Sequence, residues 1–230
     1  MYVVKKLRSI VAFIVFGALS FSVAAQSTNL SIENYNSVTD ERLINPEDHN
    51  WLSYRGTLDG WGYSSLDEIS ASNVSELEPV WSFSTGVLGG HESPPIVNDG
   101  VMFITTPGNL LYAIDAASGD LLWRYQHDLP ATYIAFHRTN RGVALYGDKV
   151  YMATLDARVI ALDAATGEKV WDKAVQDNSF GYYITMAPLA VDGKIMVGTS
   201  GGELGIRGFV VALDAETGNE AWRTYTVPGP

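Results

Sequence analysis

From residue 95 onward the chain alternates short apolar runs with turn residues. Residues 143–175 show the pattern in full: "VAL", then "YGDK"; "VYMAT", then "LDAR"; "VIALDA", then "ATGE"; and a closing "KVWDKAV". Runs of this length, rich in β-branched and aromatic residues and separated by Gly and Asp, predict strands joined in hairpins. Residues 189–226 repeat the program as "LAV-DGK-IMVGT", a glycine-rich insertion, and "FVVALDA-ETGN-EAWRTY". Residues 95–126 run through it earlier as "PIV-NDG-VMFITT" and "LLYAIDA-ASGD-LLWRY".

Within each copy an apolar run ends at Asp115, Asp163 or Asp214. A turn carrying Gly119, Gly167 or Gly218 follows, and the next strand delivers Trp123, Trp171 or Trp222. Glycine suits the positive φ of such turns, and the Asp and Ser/Thr side chains can bond turn backbone. The tryptophan offers a flat apolar surface and one N–H donor with which to join a sheet to its neighbour. The tryptophans recur at intervals of about 50 residues, the period of one four-stranded propeller blade. The expectation is an all-β chain of β-propeller blades, each of four antiparallel strands with a tryptophan-docking motif. "NVSELEPVW" (73–81) reads as the approach to a further strand, part of another blade.

Composition narrows the function. A net charge of −11 over 230 residues argues against nucleic acid as a partner. With no cysteine there is no disulfide, thiolate nucleophile, Cys-ligated metal or lipoprotein anchor. Residues 1–25 read as a signal peptide: "KKLR" (5–8) is basic, 9–23 is apolar, and Val23-Ala24-Ala25 fits the small-residue cleavage rule. An uncleaved anchor is the alternative. Cleavage leaves no stable membrane span, makes the chain more acidic and implies a periplasmic location. Residues 26–50 are polar, lack periodicity and read as an N-terminal arm; residues 51–230 form the blades. Among the histidines, His91, beside Glu92, reads as structural or as support to a site, and His49 and His127 as loop residues. No pair has zinc spacing.

The pattern A-x-D-x-x-[ST]-G-x-x-x-W resembles the tryptophan-docking repeat of eight-bladed quinoprotein alcohol dehydrogenases, the methanol/ethanol dehydrogenase family. Non-enzymatic propeller scaffolds carry the repeat too, so a protein-binding scaffold is the competing reading. Three stretches favour the enzymes. In "GHESPPIVNDGVMFITTP" (90–107), Glu92 matches a family glutamate that contacts pyrroloquinoline quinone (PQQ). In "TNRGVALYGDKVYMATLDARVIALDA" (139–164), Arg141 matches the arginine that binds PQQ oxygens. In 183–218, Thr185, Ser200, Gly201 and Gly202 match PQQ-contacting positions, and Glu203 matches a ligand of the active-site Ca²⁺ or lanthanide. The resemblance implies oxidation of small alcohols, with electrons passed to a cytochrome c.

These residue types suit that chemistry. A planar guanidinium fork matches carboxylate and carbonyl oxygens. "SGGE" lets backbone approach a flat anion, and a carboxylate is a natural ligand for a hard cation. Read one at a time, Arg141 is a hairpin salt-bridge residue, Glu203 a solvated carboxylate, and Thr185 and Ser200 ordinary strand and turn residues. Their order and spacing in the family frame make them a site. The chain departs from the family at Ala135 and Phe136, where many relatives carry adjacent cysteines. Phe136 or His137 is expected to cover the quinone instead. Eight blades need about 400 residues, so the chain is expected to be an N-terminal portion, inactive alone. The family's catalytic aspartate and further metal ligands then lie beyond it.

Overall fold

The computed structural model describes residues 32–229. The expected signal peptide and the first residues of the expected arm lie outside the described residues. No described helix is long and apolar enough to cross a membrane.

Among the described residues, twelve strands form three antiparallel sheets, each in simple sequence order. The first holds β1 (Ile96–Asn98), β2 (Val101–Thr106), β3 (Leu110–Asp115) and β4 (Leu121–Gln126). The second holds β5 (Val143–Tyr146), β6 (Lys149–Ala153), β7 (Arg158–Asp163) and β8 (Lys169–Ala174). The third holds β9 (Leu189–Val191), β10 (Lys194–Gly198), β11 (Phe209–Asp214) and β12 (Glu220–Tyr225). These are the expected blades. Tyr146, Lys149 and Arg158, read from sequence as turn residues, lie inside strands. Tyr146 pairs with Lys149, which leaves Gly147-Asp148 as a two-residue turn. Asp99-Gly100 and Asp192-Gly193 make the equivalent turns of the other blades, with all four residues at positive φ, as a primed hairpin turn demands.

The repeated tryptophans join the blades as their chemistry predicts. Trp123 Nε1 donates to the carbonyl of Ala164 at 3.1 Å, and Trp171 Nε1 to that of Ala215 at 2.9 Å. Each ring lies against the turn glycine of the next blade. A Cβ at Gly167 would stand 2.6 Å from the Trp123 ring, and one at Gly218 2.8 Å from that of Trp171. Asp115, Asp163 and Asp214 cap their turns by accepting backbone N–H groups. The backbone bonds hold the Asp115 carboxyl below the usual carboxylate range, and the Thr217 hydroxyl, joined by the Thr217 N–H, does so for Asp214. Each blade also carries a bulge where the third strand meets the tryptophan strand, at Ala113/Ile114, Ala161/Leu162 and Ala212/Leu213. Nothing in the residue pattern announced it.

Blades two and three share a second lock. The hydroxyl of Tyr151 donates to the same Ala215 carbonyl at 3.1 Å. The buried Lys149 ammonium bridges Asp148 at 2.6 Å and Glu216 at 2.8 Å. Trp222, whose docking slot would belong to a following blade, is 40% exposed.

Residues 79–87 differ from expectation. Trp81 docks like its successors, donating to Ala116 at 3.0 Å and lying over Gly119. Burial alternates from Trp81 to Val87, yet the segment is in no ladder. Among the described residues no strand runs beside it, so side-chain docking alone holds it to the first blade.

The described part of the arm starts at residue 32. It crosses the blade face that carries the β1–β2, β5–β6 and β9–β10 turns. The short helix α1 (Asp40–Ile44) is capped by Thr39. Asp40 accepts from Tyr146 Oη at 2.6 Å in blade two and from Asp192 N–H at 2.7 Å in blade three. Arg42 pairs with Glu47 at 2.8 Å and reaches Asn98 in blade one at 2.9 Å. Val38, Leu43 and Leu52 enter the core as single apolar residues, so the segment shows no periodicity. Trp51 and Val97 bond each other's backbone, covering the free edge of β1.

Two stability measurements test this account. Gly167→Ala should cost about 3 kcal/mol in denaturant unfolding, from overpacking against Trp123 added to positive-φ strain. Gly100→Ala, with open space at its Cβ, should lose only about 1 kcal/mol. Similar losses would deny the stacking its role. The second measurement is pH. The Arg42 hydrogen bond holds the Glu47 carboxyl down at about 2 against the ordinary 4.5. Its stabilisation is therefore complete above about pH 4.5 and lost as pH falls toward 2. Glu47→Gln should flatten that part of the acid profile in thermal melts, and an unchanged profile would remove the arm from acid stability.

Candidate functional site

Three chain entries converge on the face opposite the arm. Glu92 precedes β1, Arg141 precedes β5 and Thr185 precedes β9. Strands alternate in direction, so the entries to first strands and the loops between second and third strands share one face. First strands of adjacent blades approach each other, β5 against β9, so these residues ring the inner mouth of that face.

The geometry joins the expected residues in one chain of contacts. Arg141 Nη2 lies 2.9 Å from Glu92 Oε2, and Nη1 donates to Thr185 Oγ1 at 2.7 Å. Arg141 N–H donates to the Thr185 carbonyl at 3.0 Å. Thr139 Oγ1 reaches Glu92 Oε1 at 3.4 Å, and the Thr185 and Ser200 hydroxyls are 3.3 Å apart. Thr185 is buried, whereas the Arg141 and Glu92 side chains are 40% and 46% exposed. The salt-bridge reading of Arg141 is thus realised, and the ion pair lies at the mouth. Pairing at this exposure contributes little to stability.

The other wall comes from the loop between β10 and β11. Tyr183 and Ser200 exchange backbone hydrogen bonds, which fixes where the following glycines begin. Gly201 sits at φ +117, and a Cβ there would collide with the Gly181 carbonyl oxygen. Only glycine fits. Gly202 faces open space. Glu203 is exposed in the single 3₁₀ turn Gly202–Leu204. Burial raises the Tyr183 phenol above its ordinary pKa, and the nearby Glu203 charge adds to the shift. No group of three or more His, Asp or Glu side chains is placed to hold a metal among the described residues. Glu203 is one carboxylate without companions there.

The connection 127–142 borders the same mouth. Phe136 is 59% exposed, His137 is exposed, and the Phe136 backbone lies at the Tyr183 hydroxyl. Sequence reasoning missed the groups that hold this connection. Asn178 bonds both backbone groups of Ile134, donating to the carbonyl at 2.8 Å and accepting from the N–H at 2.7 Å. His127, read as a loop residue, is buried against Asp156 at 2.9 Å. The hydrogen bonds from His127 and from Thr154 Oγ1 outweigh burial and keep the Asp156 carboxyl below its usual range. His91 bonds Thr85 and Gly89 within its own loop, a structural role. Only the type of Asn178, a turn-favouring amide, hinted at its part.

Comparison with known proteins places the chain in a family. The family model described as "PQQ: Glucose/ethanol/alcohol dehydrogenase, beta-propeller domain" matches residues 51–228. Quinohemoprotein alcohol dehydrogenase ADH-IIG of Pseudomonas putida is 46% identical over 199 residues, covering 84% of this chain and 28% of that protein. The solved structure of ADHIIG from Pseudomonas putida HK5 matches with a TM-score of 0.81 and 42% identity, over 86% of this chain and 30% of that one. A europium-containing methanol dehydrogenase matches with a TM-score of 0.78 and 38% identity, over 82% of this chain and 34% of that one. The chain spans roughly a third of the length of these relatives. With its repeat, its blades and these likenesses in agreement, the chain belongs to the PQQ glucose/ethanol/alcohol dehydrogenase β-propeller family.

Proposed function

We propose that the chain forms the first blades, and one wall of the cofactor site, of a PQQ- and metal-dependent alcohol dehydrogenase. The enzyme oxidises small primary alcohols to aldehydes in the periplasm and passes electrons to a cytochrome c. The observation that carries this reading is the Glu92–Arg141–Thr185–Ser200 contact chain at one mouth of the blades.

The residues present fit PQQ in kind. PQQ is a flat tricarboxylate, and it would meet a half-exposed guanidinium, two hydroxyls and a glycine edge with open space at Gly202. PQQ supplies an electron-accepting quinone, and a Ca²⁺ or lanthanide ion a Lewis acid beside it. Arg141 binds acidic or carbonyl oxygens, with Glu92 and Thr185 as the protein partners of its fork. Thr185 and Ser200 offer hydroxyl donors. Gly201 and Gly202 keep side chains out of the approach, and Glu203 is the metal ligand this chain contributes. Phe136 or His137 covers the outer side in place of a disulfide. Alone, the chain is expected to turn over no alcohol.

The test is titration with PQQ in the presence of Ca²⁺ or La³⁺, followed by quinone absorbance and tryptophan fluorescence. Arg141→Ala should weaken binding about tenfold or more, the worth of a charge-assisted hydrogen bond. Glu203→Ala should abolish the metal dependence without moving the melting temperature, because its side chain is exposed. Gly201→Ala should lose binding and stability together. A folded chain that ignores PQQ, or variants that bind as the parent does, would overturn the reading and favour a scaffold.

A further inference from the structure

Glu92 and Arg141 approach the mouth from different blades, so something must fix their spacing across the blade junction. The ion pair itself is half-exposed, and side chains that long do not hold a geometry by themselves. The candidate lies beneath it. Asn140 is 1% exposed and adjoins both Thr139 and Arg141. Its Oδ1 accepts from Thr105 Oγ1 at 2.8 Å and from Gly142 N–H at 3.0 Å. Its Nδ2 donates to the Ala153 carbonyl at 2.9 Å and to Asn109 Oδ1 at 3.3 Å. Thr105 and Asn109 belong to the first blade, Gly142 and Ala153 to the second.

Thr105 completes the link. Its N–H donates to Ser93 Oγ at 3.1 Å, and Ser93 follows Glu92 directly. Thr105 therefore bonds the neighbour of Glu92 with its backbone and the neighbour of Arg141 with its hydroxyl. Only a carboxamide provides both the acceptor and the donors at position 140. An aspartate keeps the acceptor and loses the donors, and an aliphatic residue loses both. With both acceptor and both donor positions of its amide used, Asn140 is held in one arrangement.

We propose that Asn140, through the buried Thr105–Asn140 bond, is the positioning residue that sets the Arg141 guanidinium against Glu92 and so shapes the cofactor-binding edge. The proposal rests on the reading of this face as a PQQ site. It deepens that reading by placing the control of Arg141 at the blade junction, away from the ligand.

The test pairs Asn140→Asp with Thr105→Val, a substitution that keeps volume and removes one hydroxyl. Without cofactor, the Arg141 Nε–Hε signal in a ¹⁵N-labelled chain should be resolved in the parent. It should broaden or shift in both variants while the dispersed backbone spectrum remains. With PQQ, each variant should raise the dissociation constant about tenfold when Arg141 is present. In an Arg141→Ala background each should have almost no further effect, the signature of groups acting through one another. Equal weakening in the Arg141→Ala background, or an Arg141 signal indifferent to both variants, overturns the proposal. A parent chain that fails to bind PQQ sinks the cofactor reading instead, and the Arg141 signal then decides the positioning claim by itself.

Discussion

The structure depends on one interaction made repeatedly: an indole N–H donating to a carbonyl of the next blade while its ring lies flat on a glycine. The geometry asks three things of each repeat at once. The third strand must end so that an alanine carbonyl points back toward the preceding blade. The turn must hold a residue without a Cβ. The fourth strand must deliver its tryptophan after a bulge that shifts its register. A ring of that size, buried with its one polar atom satisfied, is worth several kilocalories per junction. That is why the eleven-residue phrase is written three times.

Tight docking of blade on blade also frees the two faces for different work. One face is covered by the arm, whose polar side chains bond residues in or beside the first turns of all three blades. The other gathers Glu92, Arg141, Thr185 and the Ser200–Glu203 loop. A site at the mouth of first strands inherits its rigidity from the ladders below it, while its own residues stay in loops. The amides of Asn140 and Asn178 carry that rigidity upward, since loops have no ladder of their own.

Much of this was legible in the residues. Period, strand order, turn chemistry and the docking tryptophans follow from alternation and from the glycines, and the structure repeats them with shifts of one or two residues at strand ends. The contact chain from Glu92 to Ser200 was legible only through a family frame, because nothing local tells Arg141 from any hairpin arginine. The packing of the arm and of the residues just after it was not legible, because Val38, Leu43 and Leu52 are buried singly and leave no period. Asn140 was hidden for a different reason. Its importance lies in partners 13 to 35 residues away in sequence, and a polar residue shows no pattern when its neighbours in space come from another blade. Residues 79–87 had the signature of a strand and the docking of one, and among the described residues lack only a neighbour.

The bond from Asp192 N–H to Asp40 spans 152 residues. Every strand pairing within a blade is local by comparison, closing connections of two to ten residues. Loop-closure entropy grows with separation, and long-range contacts form late. As the chain emerges from the ribosome, each blade can zip as its strands arrive. The arm, synthesised before any blade, cannot make this bond until the third blade's first turn has been made. The earliest residues of the described fold are therefore among the last to be sealed into it.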